Sequence, residues 1–445
     1  MHAEAHSAIF GLDAMWVAAI LFVGTYAAIM TERVNRAIVA LLAAGLMILT
    51  GVLDQDAAIR GIDFNTLGLL IGMMIIVGIT RQSGVFQFVA IWSAKKVQAK
   101  PVGIMIMLSV FTAIFSALLD NVTTVLLIVP VTLLVTEELR VKPYPYLFAE
   151  ILASNIGGTS TLIGDPPNIM IGSAAGLTFN DFLFNLTPVV LVVFIANLIP
   201  IYLLWRKDLV ASDEARARVM EFNEMEAITD SNLLKQSMGV LALVIFGFIA
   251  GHAIHVAPAT VALSGAALLL LIYCWPKDAE EQSKAVHHMF TEVEWVTIFF
   301  FIGLFVAVYG IEETGIIGMA ASKIVELTHG NMVVMSMTIL WGSAIFSAFV
   351  DNIPFVATML PLIKSLAPSM GGAEAIRPLW WALSLGACLG GNGTLIGASA
   401  NLVVAGFAER AGHPIRFVPF LLTAFPLMLL SMAICSVYVY FRYLM

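Results

Sequence analysis

"FTAIFSALLDNVTTVLLIVP", residues 111–130, sets an aspartate and an asparagine in the middle of one of the most apolar runs of the chain. No glycine or proline adjoins Asp120 and Asn121 to explain them as an ordinary turn. A second copy, "LWGSAIFSAFVDNIPFVATMLP" at 340–361, carries Asp351 and Asn352, 231 positions further on. The fold follows from asking why one chain buries the same polar pair twice.

The surrounding composition sets the solvent. Of 445 residues 60% are hydrophobic and 12% charged, with a mean hydropathy of +0.95, whereas a soluble domain carries about 25% charged residues. Several apolar runs reach the roughly 20 residues that cross a bilayer. These values predict an all-α polytopic membrane protein. The net charge of −8 says little, because orientation depends on where Lys and Arg lie. Cys274, Cys388 and Cys435 show no CxxC spacing, and the eight histidines lie outside the long apolar cores. No metal site, disulfide or cofactor is expected, and no nucleic-acid partner. The segment before the first apolar run, MHAEAHSAIFGLDA, has no Lys or Arg, so that run reads as a retained span rather than a secretory signal.

Spans are expected at about 15–32, 36–53, 64–81, 147–175 and 183–205, then at 238–254, 258–275, 292–310, 380–408 and 417–441. Between them lie two apolar hairpins, 102–138 and 332–363, each broken at Asp-Asn. A charged stretch, 206–237, separates a first repeat (1–205) from a second (238–445). The repeat is read from matches at one spacing. Asp63 with Glu294, Gly72 with Gly303, Ser116 with Ser347, Asp120 with Asp351 and Pro130 with Pro361 are all 231 apart. After a two-residue shift "GGTSTLIGDPPN" (157–168) aligns with "GGNGTLIGASAN" (390–401). Internal similarity at a fixed period is the mark of duplicated architecture. Five spans per half turn the second half over. With the N-terminus outside, 17 of the 22 Lys and Arg fall in cytoplasmic segments and five (Arg60, Lys323, Lys364, Arg377, Arg442) outside, as the positive-inside rule expects. Inverted repeats with interrupted helices characterise secondary transporters.

Backbone at mid-membrane must satisfy its hydrogen bonds internally or line a cavity. Paired glycines (Gly157–Gly158) and paired prolines (Pro166–Pro167) break one apolar run, and a glycine cluster from Gly390 breaks its counterpart. Such breaks bring helix ends and short polar side chains to one depth. The candidate binding residues are Asp120, Asn121, Thr123, Asn155, Gly158, Thr159, Ser160, Thr161, Asp165 and Asn168 in the first half. In the second half they are Asp351, Asn352, Gly391, Asn392, Thr394, Ser399 and Asn401. Asp120, Asp351 and Asp165 are the proton-coupling candidates, although Ala398 stands at the position matching Asp165, and Glu150 is a further relay candidate. Two readings stay open: Asp120 and Asp351 as N-caps alone, or as caps that also handle an ion, since an ionisable group inside a membrane marks a functional site. The glycines admit close helix packing as well.

The stretches "DNVTTVLLIVPVT", "SNIGGTSTLIGDPPN", "DNIPFVATMLP" and "GACLGGNGTLIGASAN" resemble the ion transporter superfamily, most of all the branch of the arsenite permeases (ArsB type) and the melanosomal P protein. The resemblance implies a scaffold and a transport domain, re-entrant hairpins, broken helices and an elevator-like movement. Its sodium–dicarboxylate relatives carry Ser-Asn-Thr at the hairpin tips, whereas here the tips read Asp120-Asn121-Val122 and Asp351-Asn352-Ile353. No Lys or Arg occurs in 102–136, 147–205, 332–363 or 380–409, so a site of carboxylates without a fixed cation suits a neutral hydroxylated solute or a cation better than a dianion. The expected function is proton-coupled export of arsenite or antimonite. Its alternatives are a sodium–proton antiporter and an anion or dicarboxylate permease or channel. An enzyme is not expected, since no GxSxG, HExxH or Walker A pattern occurs. The expected setting is a prokaryotic inner membrane; an arsenical ATPase subunit, and a monomer or a homodimer, are left open.

Overall fold

The computed structural model describes residues 11–31, 33–251, 255–275 and 277–445. Among the described residues the secondary structure is helical throughout, and eight helices are long and apolar enough to cross a membrane. Their outer faces are apolar and open, for example Leu191, Val192, Ile195 and Ile199 on Thr187–Trp205, as lipid contact requires.

The first hairpin consists of Pro101–Leu118 and Asn121–Glu138, the second of Met332–Phe349 and Asn352–Leu366. Each corner is made by the aspartate itself. Asp120 is the N-cap of the second limb and accepts from Thr123 N at 2.7 Å, while Asp351 accepts from Ile353 N at 3.0 Å. A buried helix start needs such an acceptor, because its first N–H groups have no partner within the helix. Each broken helix runs in two pieces, Tyr144–Gly158 with Pro166–Ala175 and Arg377–Gly390 with Ser399–Arg410.

Close packing of backbones fixes these pieces, and each close contact occurs twice. A Cβ on Gly157 would lie 2.2 Å from Ala113 O, and one on Gly390 2.6 Å from Ala344 O. Ser116 Oγ donates to Ser154 O at 2.5 Å and Ser347 Oγ to Ala387 O at 2.6 Å. Thr161 Oγ1 binds Ala117 O, and Thr394 Oγ1 binds Ala348 O. The long scaffolding helices pair across the two halves of the chain: Phe64–Arg81 packs on Pro258–Cys274, and Trp295–Glu313 packs on Arg36–Leu49. Gly72 abuts the backbone of Ala262, as Gly303 abuts that of Ala40. Thr187–Trp205 meets Phe417–Val439 through Asn197 Nδ2 and Ser431 Oγ, 2.9 Å apart.

The structure departs from the sequence reading at the linker and in short helices between the spans. The charged linker ends earlier than 237, because Asp230 caps a helix that starts at Ser231 and runs to Ala250. Its polar opening turns, Ser231 to Lys235, hide the start from a hydropathy reading. Two short helices, Val85–Lys96 and Ile316–Thr328, were not anticipated, being too short to read as spans. Each follows a glycine with φ of +79°, Gly84 and Gly315, a conformation glycine adopts without strain. Residues 1–10 and 252–254, which bear on the N-terminal and 251–257 expectations, lie outside the described residues.

Candidate transport site between the hairpin tips and the broken helices

The tips and the breaks converge on a network of buried amides. Asn155 Nδ2 donates to Asn392 Oδ1 and to Asn401 Oδ1, each at 2.9 Å, and Asn155 Oδ1 accepts from Asn121 Nδ2 at 3.2 Å. Asn401 holds its own break closed through Gly391 O (2.8 Å) and Thr394 O (2.9 Å). Asn168 does the same through Thr159 O (3.1 Å) and Thr161 O (2.9 Å), and accepts from Ser384 Oγ (2.6 Å) and Cys388 Sγ (3.5 Å). Thus Asn155 meets Asn401 as Cys388, its counterpart, meets Asn168. At the second tip Asn352 Nδ2 lies 3.3 Å from Asp165 Oδ1. The matching acceptor is missing for Asn121, because Ala398 replaces the aspartate. Asn121 Oδ1 is buried without a hydrogen-bond partner.

The structure separates the candidates by task. Asp120, Thr123 and Ser399 line a cavity, whereas Asn121, Asn155, Asp165, Asn168, Asn352, Asn392 and Asn401 are buried and do not line it. Asp351 lines an adjoining cavity together with Ser399. Thr159 and Ser160 instead turn back onto their own helix, at Asn155 O and Gly157 O, while Thr161 and Thr394 fasten the breaks to the hairpins. Gly158 and Gly391 serve approach: a Cβ on Gly158 would sit 2.5 Å from Gly164 O, and one on Gly391 3.0 Å from Gly397 O. Glu150 lies away from the cavity, receiving a 2.5 Å hydrogen bond from Thr132.

The absence of a fixed cation at the site is overturned. Arg36 Nη1 lies 2.7 Å from Asp351 Oδ2 and 2.8 Å from Ser399 Oγ, and Ser399 Oγ in turn lies 2.9 Å from Asp351 Oδ2. The guanidinium stacks 4.9 Å from the Phe300 ring. Arg36 belongs to none of the hairpin or break segments, so the lack of basic residues in those segments does not bear on it. It is 315 positions from Asp351, and only the packing of Arg36–Leu49 on Trp295–Glu313 carries it there. The sequence signal was its place in the first turn of an apolar helix, where the helix dipole disfavours a cation.

The cavity has a volume of about 580 Å³ and lies between the second limb of the first hairpin (Thr123, Leu126, Leu127) and the scaffolding helices (Leu70, Met74, Gly78, Glu294–Thr297). Burial pushes the Glu294 carboxyl at its mouth above its ordinary value, with the Arg36 charge pulling the other way. An adjoining cavity of about 320 Å³ shares Arg36, Val122, Glu294 and Ser399 with it. A third, of about 410 Å³, is lined by Arg60–Asp63, Phe305, Val308, Tyr309, Glu312 and Ala357. Each of these residues is the 231-residue counterpart of one lining the first cavity: Thr291–Glu294, Met74, Val77, Gly78, Arg81 and Leu126. The two differ in reach. The first cavity extends to Asp120, whereas the third stops short of Asp351, with the Tyr309 ring filling the space beside Gly61.

The chain matches known proteins over nearly its whole length. The family model described as citrate transporter (CitMHS) matches residues 26–386. A Mycobacterium tuberculosis protein named as an uncharacterized transporter is 45% identical over 431 residues, 96% of this chain and 98% of that one. The P protein of Homo sapiens is 31% identical over 503 residues, which cover 95% of this chain and 59% of that protein. Among solved structures, the Alcanivorax borkumensis YdaH transporter has a TM-score of 0.55 at 16% identity, covering 96% of this chain and 99% of its own. Neisseria gonorrhoeae MtrF has a TM-score of 0.57 at 12% identity, covering 97% and 95%. These two likenesses are of fold. The sequence matches go further: the chain belongs to the citrate transporter family of integral membrane transporters, within the ion transporter superfamily and with the P protein among its relatives.

Proposed function

We propose that the protein is a proton-coupled secondary transporter whose solute is small and uncharged when bound, arsenite and antimonite being the class that fits. One observation carries the reading. The basic side chains lining the main cavity are Arg36 and Arg81, and both are already paired, with Asp351 at 2.7 Å and Glu292 at 3.1 Å. Asp120 and Glu294 line the same space without such a partner among the described residues. A free polyanion entering there would meet net negative charge at low dielectric. A trihydroxide would not. It can donate to Asp120 and Glu294, which line the cavity, with no ion to desolvate. The doubled contacts support two repeats inverted in the membrane, with the hairpins and breaks moving as a unit against the scaffolding helices. In that arrangement the N-terminus and the Arg60 cavity face outward and the Arg81 cavity faces the cytoplasm.

A second reading is favoured by a specific observation. Arg36 is a fork-shaped donor at the site, and the family's description is that of a citrate transporter, so a carboxylate anion could replace Asp351 on the guanidinium. The two readings separate in one experiment: uptake into everted membrane vesicles of arsenite, sodium and citrate, each with and without a proton gradient. Arsenite uptake that collapses when the gradient is dissipated supports the first. Citrate uptake with no arsenite uptake replaces it with the second, and sodium-stimulated proton movement alone would assign both aspartates to an antiporter.

A further inference from the structure

We propose that the Arg36–Asp351 ion pair is a proton-operated latch between the scaffolding helices and the second hairpin. This rests on proton coupling, as above, but not on the identity of the solute. The two partners belong to different packing groups. Arg36 opens a helix packed on Ala14–Met30 and Trp295–Glu313, whereas Asp351 sits between hairpin limbs packed on Arg377–Gly390 and Pro166–Ala175, the second limb also touching Trp295–Glu313 and Ile316–Thr328 across the joint. Any displacement of the hairpins against the scaffold must part them. The same joint is crossed by Tyr26 Oη, which donates to Pro354 O at 2.5 Å. That contact is neutral and does not respond to protons.

The latch exists on one side only. Asp120, the counterpart of Asp351, has no cation within ion-pair reach among the described residues. The reciprocal contacts of Gly72 and Gly303 equate Ala262 with Ala40, which puts Pro258 at the position equivalent to Arg36. A duplicated fold has therefore acquired one charge-sensitive joint. The first hairpin stands off the scaffold across the 580 Å³ cavity, while the second is held against it.

The pair is also built to open. Its side chains are 25% and 14% exposed, so water from the shared cavities reaches both. The charged groups facing it are Glu294 at the start of Trp295–Glu313, Asp165 at the first break and Asp120 at the other tip. When Asp351 takes up a proton its charge is lost, and Arg36 keeps one nearby counter-charge, Glu294, on its own side of the joint. The guanidinium passes from the hairpin to the scaffold, and the hairpin is released. Loss of the proton on the far side removes the neutral state, and return of the charged hairpin to Arg36 re-forms the pair.

The test reads movement rather than transport. Ala357 lines the 410 Å³ cavity but is only 2% exposed, so a cysteine there should label with an impermeant thiol reagent only when that cavity opens. Leu360→Cys is a second reporter, and the protein with its native cysteines alone is the control. Labelling of Ala357→Cys should rise on acidification. Adding Arg36→Gln or Asp351→Asn should bring labelling at neutral pH up to the acid level and abolish the pH dependence. The double variant should match either single one, while Arg36→Lys should keep a pH response. A pH response unchanged in both Arg36→Gln and Asp351→Asn overturns the latch. If the response is lost as expected but vesicles take up no arsenite, the latch stands and the solute assignment fails.

Discussion

Asn155 ties the first broken helix, the first hairpin and the second break together, so its truncation tests the site as built. Asn155→Ala deletes two donated bonds of 2.9 Å and one accepted bond of 3.2 Å. Side-chain hydrogen bonds inside membrane proteins average about 0.6 kcal/mol each, which sets a floor of roughly 2 kcal/mol for the three. Buried groups left without partners cost about 1–3 kcal/mol apiece. Here Asn121 would lose its donor contact while its Oδ1 is already unpartnered. Asn401 keeps the two bonds its Nδ2 donates to Gly391 O and Thr394 O, but its Oδ1, like that of Asn392, loses the donor that Asn155 supplies. The expected loss is about 2–4 kcal/mol. Asn155→Cys, which installs the residue found at the counterpart position 388, should lose about half as much, because a thiol can still donate weakly to Asn401. Reversible unfolding of the purified protein in mixed micelles gives the difference directly, and an Asn155/Asn401 double-mutant cycle gives the pairwise part. A loss within about 0.5 kcal/mol, the range of a neutral surface change, with no coupling in the cycle would refute the network.

Other outcomes follow from the same geometry. Asp120→Asn should fold normally, since asparagine caps a helix about as well as aspartate, yet lose proton-driven transport; full activity at normal membrane abundance would leave Asp120 a cap alone. Gly303→Ala should cost about 1–3 kcal/mol by overpacking, because its Cβ would lie 2.4 Å from the Ala40 carbonyl carbon. Ala40→Gly should not rescue it in the same unfolding assay, since the clash is with backbone. Cys388→Ser should retain most transport, the hydroxyl replacing the thiol as donor to Asn168 Oδ1. Glu294→Gln should flatten the acid side of the stability–pH profile. Burial raises this carboxyl in the folded protein above 4.5, so the folded state holds the proton more tightly and stability falls as pH rises through that window. An unchanged profile would remove Glu294 from the set of buried charges.

What could be read in advance depended on whether the signal was local. An aspartate followed by asparagine within an apolar run has few local explanations, and the corners at Asp120 and Asp351 fall where the sequence puts them. The breaks at Gly157 and Gly390 were legible for the same reason. Side-chain direction was not. Thr159, Ser160, Thr161 and Thr394 have the chemistry of ligands, but their hydroxyls satisfy carbonyls that the breaks themselves leave open, a demand invisible until the chain path is known. Arg36 shows the larger failure. Counting charge within candidate segments assumes that a site is made of those segments, whereas a helix packed across the halves can deliver a side chain from anywhere. Its delivery also changes what the two aspartates mean. As a matched pair of tips they suggested equal roles, but one is held by a guanidinium and the other faces an open cavity. A duplicated sequence can give equal residues unequal environments: Asp351 is paired with Arg36 on the scaffold, whereas Asp120 lines the 580 Å³ cavity with no cation beside it among the described residues.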